Sequence, residues 1–470
     1  MRKTKIVCTI GPACDNVETL REMCKSGMNV ARLNFSHGTH EGHLESIRRL
    51  KQVREELGVP LAIMLDTKGP EYRIKTFEKG LVELREGDEF IFTTEDVVGD
   101  RTRVSVNYNS LHRELSVGDR ILLNNGLLGF RVTSIDGCDI HTVIENSGTL
   151  SDRKSMSFPG KVLKQAYLSE RDKQDLLFGI EQGVDYIACS FVSCKQDLLD
   201  IAVFLKENGA QGIDLIAKIE NRSGVENIEE ICQACDGIMV ARGDMGVEVP
   251  YEELPAIQKS LITKSRLLGK RVITATEMLE SMIEKPRPTR AEISDVANAV
   301  YDGTSAIMLS GETAAGRYPV EAVRAMARIA EHAECDIHYE QRFAYTDFRI
   351  RNTVDAISHS VCGMAIDIDA KAIAVCSLSG STIRMVSRFR PPVDILGMTT
   401  NEKTFHKLAL SWGVVPVLSE TYDSIDVLFY SAKRRAKDIF GLQKGDRLIV
   451  TGGMTNGTSG NTNLLKIETI

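Results

Sequence analysis

Residues 213–221 read IDLIAKIEN and residues 237–246 read GIMVARGDMG, and these two segments decide the fold. Each begins as an apolar run, as buried strands of a parallel sheet do, and each ends abruptly in charge. Lys218 and Glu220 end the first run, and Arg242 and Asp244 end the second. Because parallel strands place their carboxyl ends at one edge, where ligands bind, we expect these charges to lie together.

The two carboxylates in these segments are interpreted as ligands of a divalent cation. Two carboxylates ~4 Å apart, at an effective dielectric constant of ~20, would repel by about 4 kcal/mol, and a shared cation removes that cost. Glu220 and Asp244 therefore form a candidate metal pair. The sequence leaves open the alternative that they make surface salt bridges with Lys218 and Arg242.

Eight apolar runs of this kind alternate with helical patterns. They begin near residues 5, 29, 61, 185, 214, 237, 271 and 305. Alternating strands and helices predict parallel βα units, and eight units predict a closed (β/α)₈ TIM barrel. Polar residues follow the runs, as an active site at the carboxyl ends of the strands requires. They include Arg32, Asn34, Ser36, Asp66, Thr67, Ser190 and Thr276.

Two segments fall outside this pattern, so three domains are predicted. Residues 70–167 contain short alternating segments separated by Gly-Asp turns, which indicate an inserted all-β lid domain, a small β-barrel over the site. The barrel then comprises residues 1–69 and 168–344. Residues 345–470 alternate again and predict an open α/β domain with a regulatory role. Its loop SLSGST (377–382) joins a strand to a helix amino terminus, a place that favours phosphate.

Composition excludes several classes of partner. The formal net charge of −7 and the pI near 5.8 argue against nucleic acid and acidic membranes. The amino terminus has too short an apolar run for a signal peptide and no long apolar run follows, so a cytoplasmic protein is expected. The eleven cysteines show no disulfide-like spacing, and the one CxxC, Cys232 with Cys235, is interpreted as packing.

Longer motifs resemble those of one enzyme family. They are TKIVCTIGP, MNVARLNFSHG, LDTKGPE, IAKIEN, MVARGDMGVE and TATEMLESM followed by PRPTRAEISDVANAVYDGTSAIMLSGETAAGRYP. Over its entire length the chain resembles the pyruvate kinases. The resemblance implies transfer of the phosphoryl group of phosphoenolpyruvate to ADP, giving pyruvate and ATP, the last step of glycolysis. It also implies Mg²⁺ (or Mn²⁺) and K⁺ as cofactors, and a homotetramer.

The candidate catalytic residues suit phosphoryl transfer, which depends on positioning and on neutralising negative charge. Lys218 can place its ammonium against the migrating phosphoryl group, and Arg32 offers a second, forked contact. By resemblance, the backbone at Gly243 and Asp244 and the hydroxyl of Thr276 hold the substrate carboxylate. Thr276 also lies where the enolate is protonated, and since water is the expected proton donor, its role is supporting.

Four oxygen-bearing residues suit a monovalent cation such as K⁺: Asn34, Ser36, Asp66 and Thr67. In the family, a glutamate at the position of Glu71 goes with K⁺ dependence, so the chain is expected to require K⁺.

The remaining ligand contacts follow from the resemblance. Arg73 and Lys154 resemble nucleotide-phosphate contacts, although Arg153 or Lys161 could serve in place of Lys154. An effector site for a sugar phosphate is expected in the last domain, together with the terminal GTSGNTN (457–463). Its predicted residues are Ser377, Ser379, Gly380, Ser381, Thr382 and Trp412.

The chain departs from the family pattern at Tyr72, Asn124, Asn125 and Glu277, none of which is a predicted catalytic residue. The sequence leaves two alternative functions open. A metal-dependent aldolase or lyase would also use a Glu/Asp pair but would need neither Lys218 nor a lid. A metabolite sensor that keeps the fold without catalysis would need no intact Lys218.

Overall fold

The computed structural model describes residues 1–161, 163–453 and 462–470, and its first part begins a barrel. Three parallel strands alternate with two helices: β1 (Lys5–Thr9), α1 (Val17–Ser26), β2 (Val30–Asn34), α2 (His40–Leu57) and β3 (Ala62–Asp66). The side chains of Asn16 and Thr39 accept hydrogen bonds from first-turn N–H groups and fix the starts of α1 and α2.

The inserted segment folds as the predicted β domain, with one short helix added. Its elements are β4 (Tyr72–Arg73), β5 (Leu81–Leu84), β6 (Glu89–Thr93), β7 (Arg103–Ser105), α3 (Leu111–Glu114), β8 (Arg120–Leu123), β9 (Leu128–Asp136), β10 (Asp139–Ile144), β11 (Gly148–Ser151) and β12 (Ser155–Ser157). A seven-stranded sheet in the order β4-β12-β8-β9-β10-β6-β7 surrounds its own core, and β5 pairs with β11. Asn124 and Asn125 both have positive φ, 54° and 56°, in the turn between β8 and β9, a conformation that asparagine tolerates better than most residues.

The chain then completes the barrel. The elements are α4 (Glu170–Gln182), β13 (Tyr186–Cys189), α5 (Lys195–Glu207), β14 (Asp214–Ile219), α6 (Arg222–Glu226), α7 (Ile228–Ala234), β15 (Gly237–Ala241), α8 (Arg242–Glu248), α9 (Leu254–Leu267), β16 (Arg271–Ala275), α10 (Arg290–Asp302), β17 (Ala306–Leu309), α11 (Gly311–Ala314), α12 (Pro319–Cys335) and α13 (Tyr339–Tyr345). A 3-10 turn spans Glu280–Ile283. Helix α10 begins at a capping box, in which Thr289 and Glu292 satisfy each other's backbone N–H groups.

Eight parallel strands close the barrel in the order β1-β17-β16-β15-β14-β13-β3-β2, which confirms the predicted (β/α)₈ fold. One apolar cluster, including Val30, Met64 and Ile216, fills the inside of the barrel, and a larger one lies between strands and helices. Cys232 and Cys235 belong to the outer cluster, as packing residues do. Every strand therefore points its carboxyl end at one mouth, beneath the inserted lid domain.

The last domain is the predicted open α/β fold. Its elements are α14 (Thr353–Asp367), β18 (Ala372–Cys376), α15 (Ser381–Arg388), β19 (Asp394–Thr399), α16 (Glu402–Lys407), a 3-10 turn (Leu408–Leu410), β20 (Val414–Leu418), α17 (Ile425–Phe440), β21 (Arg447–Gly453) and β22 (Thr462–Thr469). The sheet order is β20-β19-β18-β21-β22, and only β22 is antiparallel. The domain limits at residues 69/70, 167/168 and 344/345 stay predictions.

The carboxyl-terminal domain docks on the barrel face opposite to the mouth. Lys5 donates to the carbonyl of Val414 at 2.7 Å, and Lys407 pairs with Asp214 at 2.6 Å. Asp214 also pairs with the buried Arg271 at the start of β16. Polar and charged contacts therefore hold the two domains together. Among the helices of the described ranges, none has both the length and the apolar character needed to cross a membrane.

Candidate active site

Lys218, at the carboxyl end of β14, is the centre of the candidate site. Its ammonium is buried and donates to Ser190 Oγ at 2.7 Å and to Asp66 Oδ1 at 3.1 Å. Glu220 Oε1 lies 3.0 Å from the same nitrogen. Burial alone would lower the pKa of Lys218, but the carboxylates of Asp66 and Glu220 raise it overall. The ammonium is therefore charged at neutral pH.

Arg32, at the carboxyl end of β2, is held to the same carboxylate. Its Nε donates to Asp66 Oδ2 at 2.6 Å, and its Nη1 donates to Thr9 Oγ1 at 2.9 Å. Burial raises the pKa of Asp66, but Arg32 and Lys218 outweigh that effect and lower it. Asp66 thus stays ionised and fixes two cationic side chains side by side. The structure brings Lys218 and Arg32 together as the sequence predicted.

Ser190 takes part in this arrangement although it was not among the predicted site residues. Its hydroxyl donates to the carbonyl of Thr67 at 2.6 Å and accepts from Lys218. The available signal was its position directly after the apolar run of β13. A serine is common after strands, so that signal did not distinguish it.

Glu220 and Asp244 fit a divalent cation. Glu220 is buried, and its Oε2 accepts from the backbone N–H of Phe191 at 2.6 Å. Its Oε1 is buried and forms an ion pair with the Lys218 ammonium at 3.0 Å. Burial, and then repulsion from Asp244, raises the pKa of Glu220 to about 7 even though Lys218 opposes the shift. Ionisation of Glu220 beside Asp244 is therefore favoured by additional positive charge. A hard divalent cation bound to both carboxylates would supply it.

The alternative that both carboxylates form salt bridges applies to Glu220 but not to Asp244. Lys218 does pair with Glu220. Arg242, however, pairs with Asp295 at 2.7 Å and not with Asp244 in any described contact. Asp244 is exposed at the mouth and forms no ion pair within the described ranges, although its charge acts on the nearby Lys218.

The predicted K⁺ residues lie on two adjacent strands. Asn34 and Asp66 are direct neighbours across β2 and β3, and Thr67 follows. Asn34 Oδ1 accepts from the backbone N–H of Ser36 at 3.1 Å. The four side chains offer only oxygen ligands, apart from the amide nitrogen of Asn34, and none offers sulfur or imidazole. Such a donor set suits a hard monovalent cation.

Thr276, after β16, meets the start of α8. The backbone N–H of Gly243 donates to Thr276 Oγ1 at 2.8 Å, so these two predicted substrate contacts adjoin. Thr276 and Glu277 both have positive φ, 68° and 52°, which is costly for side chains that branch or extend from Cβ. Arg242 holds them there, since its Nη2 donates to the carbonyls of Thr276 at 2.6 Å and Glu277 at 2.9 Å.

A cleft of about 540 Å³ lies between the lid and the barrel mouth. Asp244 lines it from the barrel, and Arg73 and Lys161 line it from the lid. Lys154 and Arg153 are not among the lining residues, and Lys161, the other alternative that the sequence left open, pairs with Asp119 at 2.7 Å. Arg73 is fixed by an ion pair with Glu71, as well as by donating to the carbonyl of Arg153 at 2.6 Å.

The predicted effector loop lies at the carboxyl edge of the last sheet. Gly380 has φ 72° and caps α15, and Ser381 begins the helix. Ser377 and Ser379 precede it, both at least partly exposed. Thr382 is buried, with its hydroxyl 2.6 Å from that of Thr462. Of the terminal segment GTSGNTN, residues 457–461 lie outside the described residues.

The assignment of Trp412 to the effector site is corrected by the structure. Trp412 precedes β20, at the amino edge of the sheet, whereas the loop 377–382 follows β18 at the carboxyl edge. It is 3% exposed and packs against Tyr339, with the guanidinium of Arg390 4.7 Å from its ring centre. It therefore belongs to the junction with the barrel, because parallel strands separate these two edges by the strand length.

Comparisons with known proteins agree with this geometry. A family model described as "Pyruvate kinase, barrel domain" matches residues 1–323, and one described as "Pyruvate kinase, alpha/beta domain" matches residues 355–468. A pyruvate kinase of Bacillus licheniformis is 46% identical over 473 residues, covering all of this chain and 81% of the relative. One of Clostridium acetobutylicum is 44% identical and covers both chains completely.

A solved structure is also similar. The crystal structure of a pyruvate kinase from Cryptosporidium parvum superposes with a TM-score of 0.94 at 37% identity. The match covers all of this chain and 96% of that one. The likeness therefore extends over the barrel, the lid and the carboxyl-terminal domain together.

Proposed function

This chain belongs to the pyruvate kinase family of phosphotransferases, and from that premise we propose how its side chains move a phosphoryl group from phosphoenolpyruvate to ADP, giving pyruvate and ATP. The observation that carries the proposal is the buried, charged Lys218 between Asp66 and Glu220 at the barrel mouth. A buried, protonated ammonium strongly stabilises the negative charge of a phosphoryl group during its transfer.

Lys218 and Arg32 act on the phosphoryl group. Three contacts fix the Lys218 ammonium, so it needs little reorganisation when charge moves onto the transferring oxygens. Arg32 uses Nε and Nη1 on Asp66 and Thr9, and Nη2 has no hydrogen-bond partner in the described part of the chain. That nitrogen is available to the ligand.

The substrate carboxylate is bound by the N–H groups that open α8 and by Thr276. The Gly243 N–H donates to Thr276 Oγ1 at 2.8 Å, and an incoming carboxylate competes for this donor. Thr276 is held next to the carbon that receives the proton when the enolate collapses. A water molecule is the proposed donor, with the Thr276 hydroxyl orienting it.

Glu220 and Asp244 would hold Mg²⁺ (or Mn²⁺), which supplies positive charge to the oxygens of the substrate when it is bound. Asn34, Ser36, Asp66 and Thr67 would hold K⁺. The K⁺ requirement is tested by steady-state rates in K⁺-free buffer with tetramethylammonium as the replacement ion. We expect a rate at least tenfold below that with K⁺, and equal rates would contradict the assignment.

Arg73 and a lid lysine contact the nucleotide phosphates. The lining of the cleft supports Lys161, and the family pattern supports Lys154. Single Lys161→Met and Lys154→Met variants separate them. The residue that contacts ADP is the one whose loss raises the KM for ADP while leaving the KM for phosphoenolpyruvate within about twofold.

The loop 377–382 is proposed to bind an activating sugar phosphate. The hydroxyls of Ser379 and Ser381 stand at the amino terminus of α15, where N–H groups and the helix dipole favour phosphate. Thr382 is less suited to a test, because its hydroxyl is bonded to Thr462 and its loss would disturb the fold. Activation of the wild type by fructose 1,6-bisphosphate should be lost in Ser381→Glu, whose added charge repels phosphate. Activation that persists in this variant would exclude the loop.

The main experiment is a coupled assay of ADP-dependent pyruvate release by the wild type and Lys218→Met. We expect wild-type turnover and a loss of at least a thousandfold in the variant, with the same thermal unfolding profile. Pyruvate release without ADP would favour an aldolase or lyase, and no turnover by the wild type would favour a sensor. A homotetramer and a cytoplasmic location stay predictions, which mass photometry and cell fractionation test.

A further inference from the structure

Three arginines from three parts of the chain converge on Gly303, the C-cap of α10. Arg266 lies on α9, Arg342 lies on α13, and Arg390 follows α15 in the carboxyl-terminal domain. A methyl group on Gly303 would lie 3.7 Å from both Arg266 Nε and Arg342 Nη1. Arg390 Nη2 donates to the Gly303 carbonyl at 3.1 Å. We call these three residues the arginine cluster.

The arginine cluster carries more positive charge than the acids described near it offset. None of the three guanidinium groups forms an ion pair with a carboxylate in residues 1–161, 163–453 or 462–470. Glu334 acts on Arg390 electrostatically, but its two oxygens accept from the backbone N–H groups of Lys3 and Thr4 at 2.8 and 2.6 Å. Burial, and then the charge of Arg342, lowers the pKa of Arg266 to about 10. Three arginines beside one carboxylate thus leave the junction between the domains with an excess of positive charge.

The cluster also contains buried donors without partners. Arg266 is 7% exposed, and its Nε and Nη1 make no hydrogen bond in the described structure. Arg390 is 3% exposed and has an unpartnered Nε, and the buried hydroxyl of Tyr339 is unpartnered as well. A buried unsatisfied donor costs ~1–3 kcal/mol, and a charged one costs more. Water could satisfy the donors, but water would leave three positive charges facing one another.

We propose that the arginine cluster binds a small oxyanion, namely inorganic phosphate or the phosphate group of a phosphomonoester. Guanidinium groups match phosphate oxygens through paired N–H donors, and a doubly charged group balances three cations better than a carboxylate does. Arg342 is partly exposed, so it marks the side from which the ligand enters. The site is separate from the barrel mouth and from the loop 377–382.

The arginine cluster lies where an anion would affect the docking of the two domains. Arg266 belongs to the barrel, Arg342 to the helix that follows the barrel, and Arg390 to the carboxyl-terminal domain. An anion bound by all three therefore joins the two domains. By mass action it stabilises the docked arrangement over any arrangement in which the domains separate.

The test is thermal unfolding of the full chain in phosphate, chloride or acetate buffers of equal ionic strength, with calorimetric titration of inorganic phosphate. Arg266→Met keeps the aliphatic stem and removes one charge. Arg324→Gln, on the exposed face of α12, removes one charge elsewhere and is the matched control. All variants retain the barrel mouth and the loop 377–382, so differences between them report on the cluster.

We expect phosphate, but not acetate, to raise the unfolding temperature of the wild type and of Arg324→Gln. In Arg266→Met the increase in unfolding temperature caused by phosphate should be less than half of that in the wild type. Phosphate should also bind at least tenfold more weakly at this site. Without phosphate, Arg266→Met should unfold at or above the wild-type temperature, because repulsion is relieved. If Arg266→Met does not fold, the more exposed Arg342→Gln replaces it with the same expectations. An equal phosphate response in the variant and the control, an equal response to acetate, or no response of the wild type would overturn the proposal.

Discussion

Ser190→Ala tests whether the hydroxyl beneath Lys218 positions the ammonium for catalysis. The bond from Lys218 Nζ to Ser190 Oγ is 2.7 Å long, shorter than the 3.1 Å bond to Asp66. A hydrogen bond to a charged group contributes ~1.5–3 kcal/mol, and each 1.36 kcal/mol in the barrier is about tenfold in rate. Full loss would therefore lower kcat by about 10- to 150-fold. Because a water molecule can fill the space of one hydroxyl, we expect the lower end, about tenfold.

The assay is steady-state kinetics at saturating ADP, with phosphoenolpyruvate varied. A positioning role predicts a lower kcat and a KM for phosphoenolpyruvate within about threefold, since the ammonium charge itself remains. Ser193→Ala is the matched control, because its hydroxyl lies on the same loop and bonds to Phe191 and Asn221 rather than to Lys218. An unchanged kcat in Ser190→Ala, or an equal fall in the control, would refute the reasoning.

Three further predictions follow from buried charges. Arg242→Met removes the three hydrogen bonds that hold Thr276 and its neighbour in left-handed conformations, so kcat/KM for phosphoenolpyruvate should fall by at least tenfold in the same assay. Burial raises the pKa of Glu248, where α8 meets the lid, to about 7. The contact favours the protonated acid and weakens as pH rises through 7, so the KM for ADP should increase from pH 6 to pH 8 in the wild type and stay level in Glu248→Gln. Burial raises the pKa of Asp214, but Arg271 and Lys407 outweigh burial and lower it to about 2. The ionised Asp214 therefore stabilises the fold above pH 4, and this stabilisation is lost as the pH falls towards 2. Asp214→Asn should lower the free energy of unfolding at pH 7 by ~3 kcal/mol or more in urea titrations.

The fold could be predicted because its determinants are periodic and local. Each barrel strand is a short apolar run, and polar residues occur after the run, so Lys218 and Asp66 could be assigned to one mouth without any coordinates. The capping box of Thr289 and Glu292 fixed the start of α10 in the same local way. These features depend on neighbours within a few residues, which is the range over which sequence patterns are informative.

The parts that could not be predicted depend on contacts between distant segments. Ser190 becomes a site residue only because β13 pairs with β14 and places it beside Lys218. The left-handed conformation of Thr276 depends on Arg242, 34 positions earlier in the chain. Trp412 was assigned to the wrong edge of its sheet, because membership of a domain does not reveal which end of a strand a residue occupies. Pairing and strand direction decide such cases, and neither is visible in the spacing of residues.

The two ends of the barrel carry opposite imbalances of charge. At the mouth, burial raises the pKa of Glu220, and repulsion from the nearby Asp244 adds to that rise, while Lys218 opposes it. At the far end, burial and then the charge of Arg342 lower the pKa of Arg266. Neither imbalance helps folding, since the burial of a charge and the proximity of a like charge both raise the energy of the native state. Ligands of opposite sign, a cation at the mouth and an anion at the far end, would relieve both. Binding at either end therefore stabilises the same folded chain. If the two ends are independent, cation and phosphate should raise its unfolding temperature additively. If docking of the carboxyl-terminal domain strengthens cation binding at the mouth, the two ligands together should raise it by more than the sum.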